Sequence, residues 1–386
     1  MPMIYLDNAA TSCPKPPEVV NAVEHTLREV CANPGRGAYD TALEAGRILL
    51  RTRRALARLC GVKDEARMIF TLNATMAVNL ALKGLLRDGG HVVMSSLEHN
   101  AVVRPLTVLS KRGVEVTRVP CTADGTTDPD DVVAAVRPDT RLVVLTHASN
   151  VLGTVLPIEE VGPRLRERGV PFLVDAAQTA GSRPLDVERM GIDLLALPGH
   201  KGLLGPQGVG VLYVGPGIEL DTLVEGGSGT DSLSPFPPAD LPDRYEAGTP
   251  NTPGVAGLGA GVQCVLREGV EAIAARERSL SERLRRGLAD IEGVTLHGPR
   301  PGADAAPVVS VAFTGLPSAE AAFILDRAFG IAVRAGLHCA PEAHRVAGTL
   351  ETGLVRLSLG YHSTEDDVDA AIATCAEIAV KAAAHR

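Results

Sequence analysis

The chain has 386 residues, 45% of them apolar and 22% charged, with a formal net charge of −8. At about 100–200 residues per domain this length suggests two domains or one large α/β unit, with core enough to exclude disorder. Basic and acidic residues are mixed throughout, so the concentrated basic footprint of a nucleic-acid binder is missing, and no run reaches the roughly 18 apolar residues of a membrane span. The opening MPMIYLDNAATS has no basic stretch leading into an apolar one, so a soluble, cytoplasmic protein is expected. Seven cysteines (13, 31, 60, 121, 264, 339 and 375) stand singly, without C-x-x-C and in an odd number. That argues against a structural metal site and a disulfide framework, and asks whether one thiol is a nucleophile.

From residue 60 to 215, short apolar runs alternate with helical spacing. Arg67–Thr71, His91–Ser95, Val114–Val119, Arg141–Thr146, Pro171–Asp175, Leu194–Leu197 and Val209–Val214 read as strands; Ala77/Leu80/Ala81 and Ile158–Arg168 are spaced for helices. Continuous Val/Ile/Leu runs alternating with helices predict a largely parallel sheet covered on both faces. Residues 217–255 are rich in Gly, Pro, Ser and Asp and predict an irregular surface or interface segment. A long helix over about 256–290 follows, bent near Gly269, then strands Val308–Phe313 and Val355–Ser358 and helices Ser318–Phe329 and Thr364–Ala383. The expected division is a large α/β domain over 15–255 and a small α+β domain from 1–14 with 256–386.

Ligands of open parallel sheets bind at the carboxyl ends of the strands. Five runs here end in polar residues: MIFT before Asn73-Ala74-Thr75, HVVMSS before Glu98-His99-Asn100, RLVVLT before His147-Ala148-Ser149-Asn150, FLVD at Asp175, and LLAL before Gly199-His200-Lys201-Gly202. Each has a plain reading alone: a solvated lysine, a strand-end carboxylate, a helix cap at Thr75, a loop histidine at His99. Together they suggest one lined cleft. A lysine in a Gly-flanked loop suits Schiff-base chemistry, a strand-end carboxylate can pair with a pyridinium nitrogen, and a helix N-terminus can take a phosphate. His338 with His344 is only a weak suggestion of a metal site, since further ligands are lacking and no metal is expected, and neither G-x-G-x-x-G, a P-loop nor G-x-S-x-G is present.

In order, YLDNAAT, NATMAVNLALKG, SLEHNAV, THASNVLGT, VDAAQTAG, GHKGLLGPQGVG, EAGTPNTPG and RAGLHCAP resemble the pyridoxal-phosphate enzymes of the class V aminotransferase group, specifically the cysteine desulfurase and selenocysteine lyase branch. The resemblance runs from Tyr5 to the end and implies the type I PLP-dependent transferase fold: a large, mostly parallel mixed sheet with a smaller α+β domain. It implies that Lys201 carries the cofactor, Asp175 pairs with its ring nitrogen and His99 stacks on the ring. Gln178 and Asn150 would contact the phenolic oxygen; Ala74, Thr75 and His200 would hold the phosphate, joined by Thr249 from the neighbouring subunit of a homodimer. Arg356, supported by Arg334 and Asn150, would bind the substrate carboxylate. Cys339 would accept sulfur from L-cysteine for a partner protein, with His338 and Arg334 as candidates to favour its thiolate. Two positions depart from the pattern: Pro198 replaces a usual Ser or Thr, and Leu337 a second histidine. The alternatives are a lyase acting on selenocysteine or another cysteine derivative, and an inactive scaffold that keeps the fold.

Overall fold

In the computed structural model, residues 3–35 and 37–384 are described. The chain opens with strand β1 (Ile4–Tyr5) and helices α1 (Pro17–His25) and α2 (Asp40–Leu59). Then come β2 (Met68–Thr71), α3 (Ala74–Leu85), β3 (Gly90–Ser95), α4 (Asn100–Ser110), β4 (Val114–Val119), α5 (Pro129–Ala134), β5 (Thr140–Thr146), α6 (Ile158–Glu167), β6 (Phe172–Asp175), β7 (Leu194–Pro198) and β8 (Gly210–Val214). These eight-residue-or-shorter strands, β1 aside, form one seven-stranded sheet in the order β2-β8-β7-β6-β5-β3-β4. All neighbours are parallel except β8, which runs antiparallel to both β2 and β7.

The continuous apolar runs have a direct physical cause. Val143, Leu145, Phe172, Val174, Leu195 and Leu197 enter one buried cluster, while the alternate residues Leu142, Val144, Leu173, Leu194 and Ala196 enter another. Successive strand side chains point to opposite faces, so a sheet buried on both sides needs an apolar residue at every position. Each such side chain contributes roughly 1.5–3 kcal/mol on burial.

No strand or helix interrupts residues 215–251, as the Gly/Pro-rich composition predicts. The long helix expected next is two, α7 (Thr252–Glu268) and α8 (Val270–Ala289), split at Gly269 where φ is +91°. Only glycine enters that region without strain, so the bend becomes a break. The chain then forms β9 (Val294–His297), β10 (Val308–Phe313), α9 (Ser318–Phe329), β11 (Ile331–Ala332), β12 (Arg334–Gly336), α10 (Pro341–Val346), β13 (Leu354–Ser358) and α11 (Glu365–Ala384). A four-stranded antiparallel sheet, β12-β13-β10-β9, packs its Val309, Val311, Val355 and Leu357 against Leu284, Leu288 and Val368.

The N-terminal segment returns to this second part of the chain: β1 and β11 form a two-stranded parallel sheet of their own, and Asp7 bridges Ser358 at the end of β13. It thereby lies between β13 and the turn carrying Lys201, acting as a strap. No helix among the described residues is long and apolar enough to cross a membrane.

Candidate active site

The polar strand ends converge. Asp175 ends β6, is buried, and accepts a hydrogen bond from the Ala177 amide at 2.9 Å. Burial raises its pKa, opposed by that bond and by the positive charge of Lys201. Lys201 follows β7 in a tight turn. Its amine is lowered to about 8, first by desolvation, with Asp175 pulling it back up and Arg356 and Arg334 pushing it further down. The two turns touch backbone to backbone: a Cβ on Gly181 (φ +83°) would meet the Gly202 carbonyl oxygen at 2.3 Å. A glycine there is what allows the Asp175 and Lys201 turns to share one floor.

His99 caps α4, with its Nδ1 accepting from the Ala101 amide at 3.0 Å. That bond places the proton of the neutral ring on Nε2. Desolvation, then Lys201 and the arginines 334, 104 and 356, lower its pKa to about 4, so the ring is uncharged at neutral pH. Asn150, also buried, donates from Nδ2 to the His338 carbonyl at 2.7 Å. Gln178 donates to the Ala9 carbonyl at 3.3 Å, which fixes it against the strap. His200 is lowered to about 4 by burial and by Lys201 and Lys15.

The second sheet supplies cations. Arg334 and Arg356 are paired across β12 and β13. Arg356 is 1% exposed; its Nη1 donates to the Asn150 carbonyl at 3.1 Å and its Nη2 to Asp7 Oδ1 at 2.6 Å, while Nε is buried without a partner. Arg334 Nη2 lies 3.5 Å from Cys339 Sγ. Cys339 itself is exposed, with φ +59°, and its carbonyl accepts from the Asn100 amide at 2.9 Å, next to His99. Cys339, His99, Thr75 and Arg104 line one opening.

The chain is similar to known proteins along nearly its whole length. The profile of the Aminotransferase class-V family matches residues 4–371. A probable cysteine desulfurase of Methanothermobacter thermautotrophicus is 37% identical, the match covering 97% of this chain and 94% of that one. A cysteine desulfurase of Yersinia pseudotuberculosis is 35% identical over 96% and 92% of the two chains. Among solved structures, the apo cysteine desulfurase of Thermococcus onnurineus superposes with a TM-score of 0.93 at 32% identity, covering 98% and 95% of the two chains. The S-sulfonic acid form of an Escherichia coli cysteine desulfurase gives 0.88 at 27%, with the same coverage. The chain belongs to the class-V aminotransferase family.

Enzymes of this family use pyridoxal 5'-phosphate, and the residues present fit it. His200 Nδ1 is buried with no partner, an unmet hydrogen-bonding group that a phosphate oxygen would satisfy. The first-turn amides of α3 at Ala74 and Thr75 point beyond the helix, as anion-binding amides do. A depressed lysine amine beside a buried carboxylate is the donor set that a pyridine aldehyde requires.

The structure places the remaining residues as follows. The cap of α3 is Asn73, accepting from the Met76 amide at 2.9 Å, so Thr75 is not the cap and its exposed side chain faces the opening. Thr249 lines a separate opening with Phe70, Leu72 and Met76, away from Lys201 of the same chain. His338 does not address the thiol. Its Nε2 donates to the Arg334 carbonyl at 3.2 Å and its Nδ1 accepts from His344 Nε2 at 3.2 Å, while His344 Nδ1 accepts from the Thr349 hydroxyl at 2.9 Å. A carbonyl can only accept, which orders the whole chain of donors with both rings neutral. The two histidines are hydrogen-bond partners, and no metal-ligating cluster occurs among the described residues. Pro198 ends β7 opposite Gly210, in a buried strand position.

Sequence reasoning missed three groups. Asp7, in YLDNAAT, is the counter-ion of Arg356; the motif signalled it but no spacing rule links residues 349 apart. Glu98, before His99, is fully buried and accepts from Ser95 and from the Thr146 amide at 2.8 Å. Lys15 reaches the His200 carbonyl at 2.8 Å, the acceptor also used by Thr11 and Ser12.

Proposed function

We propose that this chain is a PLP-dependent cysteine desulfurase that converts L-cysteine to L-alanine, leaves the sulfur as a persulfide on Cys339 and passes it to an acceptor protein. One observation carries the reading: an exposed cysteine is fastened by its own carbonyl to the residue after His99, with a guanidinium 3.5 Å from its sulfur. A structural thiol is buried, as Cys60 and Cys375 are here, whereas Cys339 faces a shared opening.

When bound, the cofactor supplies an electron sink for the substrate's α-carbon. The remaining work belongs to the chain. Arg356, held by Asp7 and the Asn150 carbonyl, offers its Nε edge to the substrate carboxylate, and Arg334 adds charge beside it. Lys201 takes the α-proton; an amine near 8 is poised for this at neutral pH. Asp175 would hold the ring nitrogen of the cofactor and neutral His99 would cover its ring. Cys339 attacks the substrate sulfur: an S–S bond forms, the Cβ–S bond breaks, and its electron pair stays on Cβ, which takes up a proton; Lys201 then returns a proton to the α-carbon to complete alanine.

The reading includes a homodimer in which Thr249 reaches the partner's phosphate site; the exposed apolar residues Leu72, Val224 and Phe236 around that segment support a covered face. It also includes the division into domains over 15–255 and over 1–14 with 256–386, and a cytoplasmic setting, which suits seven free thiols. Mixing the holoenzyme with L-cysteine and a reductant should yield alanine and sulfide in equal amounts, and Cys339→Ala should abolish both. Pyruvate in place of alanine, or undiminished turnover by the variant, would refute the reading and favour a lyase acting on another cysteine derivative.

A further inference from the structure

A second, smaller cavity of about 40 Å³ touches Lys201. Its polar walls come from separate parts of the chain: Asn8 and Ser12 of the strap, Gln178 and Ser182 after β6, Ser358 at the end of β13, and Glu277 on α8. Glu277 is 5% exposed and its Oε2 has no hydrogen-bond partner. The neighbouring Arg276 makes no ion pair with it: its Nη1 and Nη2 go to Glu268 and the Tyr361 carbonyl. A carboxyl group on the buried face of α8, among Ile273, Leu280 and Leu284 and with an unsatisfied oxygen beside a polar cavity, has no packing rationale. A hydrophobic residue would serve the core better at no desolvation cost. At about 10–15 Å³ per water, the cavity holds about three or four, and its side chains supply their partners.

We infer that Glu277 is a proton-relay residue, exchanging with solvent, through the waters of this cavity, the proton that Lys201 removes from the substrate's α-carbon. The inference rests on Lys201 being the base. The balance is simple: a proton passes from the Lys201 ammonium to a cavity water, Glu277 accepts or returns one at the other end, and no electrons change centres. Burial raises the Glu277 carboxyl to about 8 while it lowers the Lys201 amine to about 8, so neither direction of transfer meets a large barrier. Arg276 opposes the rise and Glu268 adds to it.

The test is the exchange of the α-hydrogen of L-alanine in D2O, followed by proton NMR with the holoenzyme, a reaction that does not need Cys339. Wild type should exchange, Lys201→Ala should not, and Glu277→Gln should be slower by roughly tenfold or more with an unchanged cofactor spectrum. Glu277→Asp should recover part of the rate. Exchange in Glu277→Gln within twofold of wild type overturns the relay alone. Failure of wild type to exceed Lys201→Ala overturns the role of Lys201 and the relay with it. A second readout uses cofactor-free protein: the infrared difference spectrum of wild type minus Glu277→Gln should contain a protonated-carboxyl band, separate from the one expected of Glu98, whose carboxyl burial also raises to about 8, and that band should be displaced in Lys201→Ala. A wild-type spectrum that Glu277→Gln leaves unaltered also overturns the inference.

Discussion

The two groups proposed to carry the reaction, Lys201 and Cys339, live in opposite surroundings. Lys201 is on a floor of strand ends and glycine turns, with its amine pushed down by burial and its neighbours fixed by backbone bonds. Cys339 is on an exposed loop with two consecutive residues at positive φ, His338 and Cys339, held to the body by the Asn100–Cys339 and Asn150–His338 bonds. The contrast fits the part proposed for each. Proton abstraction needs a matched pKa, which only desolvation and fixed charges supply. A sulfur carrier must meet substrate on one side and an acceptor on the other, which requires exposure. The floor is built for rigidity and the loop for access, and non-glycine residues in the left-handed region are the local cost of that loop.

If the two regions are separable, a change in one should leave the other's chemistry intact. The largest effect is expected from Lys201→Ala: kcat/KM for L-cysteine should fall on the order of 10⁴-fold or more, with the rate of Cys339 alkylation unchanged. A parallel loss of thiol reactivity would break the comparison. Asp175→Asn should cost on the order of 10²–10³-fold in kcat with KM little moved, because a neutral amide cannot hold a pyridinium charge. Turnover within threefold of wild type would remove Asp175 from the floor. Arg356→Lys should act mainly on KM, raising it roughly 10- to 100-fold, since a lysine cannot reproduce the fork that spans Asp7, the Asn150 carbonyl and a carboxylate. A kcat effect with KM intact would instead place Arg356 in the chemistry.

Much of the floor was legible because it obeys local rules. Unbroken apolar runs mark strands buried on both faces, and the polar residue that ends each run marks the carboxyl edge where Asp175 and Lys201 meet. The motif resemblance then ordered the roles. What escaped was set by long-range pairing or by competition between near neighbours. Asn73 and Thr75 are both good caps two residues apart, and only backbone geometry shows that Asn73 wins. Asp7 meets Arg356 across most of the chain length, and Glu277 becomes interesting only once its oxygen is seen to lack a partner. The helices α1 and α2 over 17–59 drew no element reading, although α2 has a buried face of Ala45, Ile48, Ala55 and Leu56 that helical spacing alone could have shown. The His338–His344 pair misled for the opposite reason: two histidines near a cysteine look like chemistry, and here they are scaffolding.

That scaffolding gives the smallest and most specific test. Burial lowers His338 to about 3 and His344 to about 4, both below the ordinary 6.5 of histidine. The sign follows: a group whose pKa is depressed by folding favours the fold fully above 6.5, and that contribution drains away as pH falls toward 4 and 3. Protonating His338 on Nδ1 would set it against the His344 Nε2–H, donor against donor, and the loop would lose the brace behind Cys339. Backbone amide exchange over 334–340, corrected for its intrinsic pH dependence, should therefore speed up a few-fold between pH 6.5 and 4. In the double variant His338→Asn, His344→Gln that slope should flatten, because neither amide titrates. A wild-type profile that is already flat would mean the histidine pair does not set the order of the loop, and the contrast between a braced carrier and a buried base would rest on exposure alone.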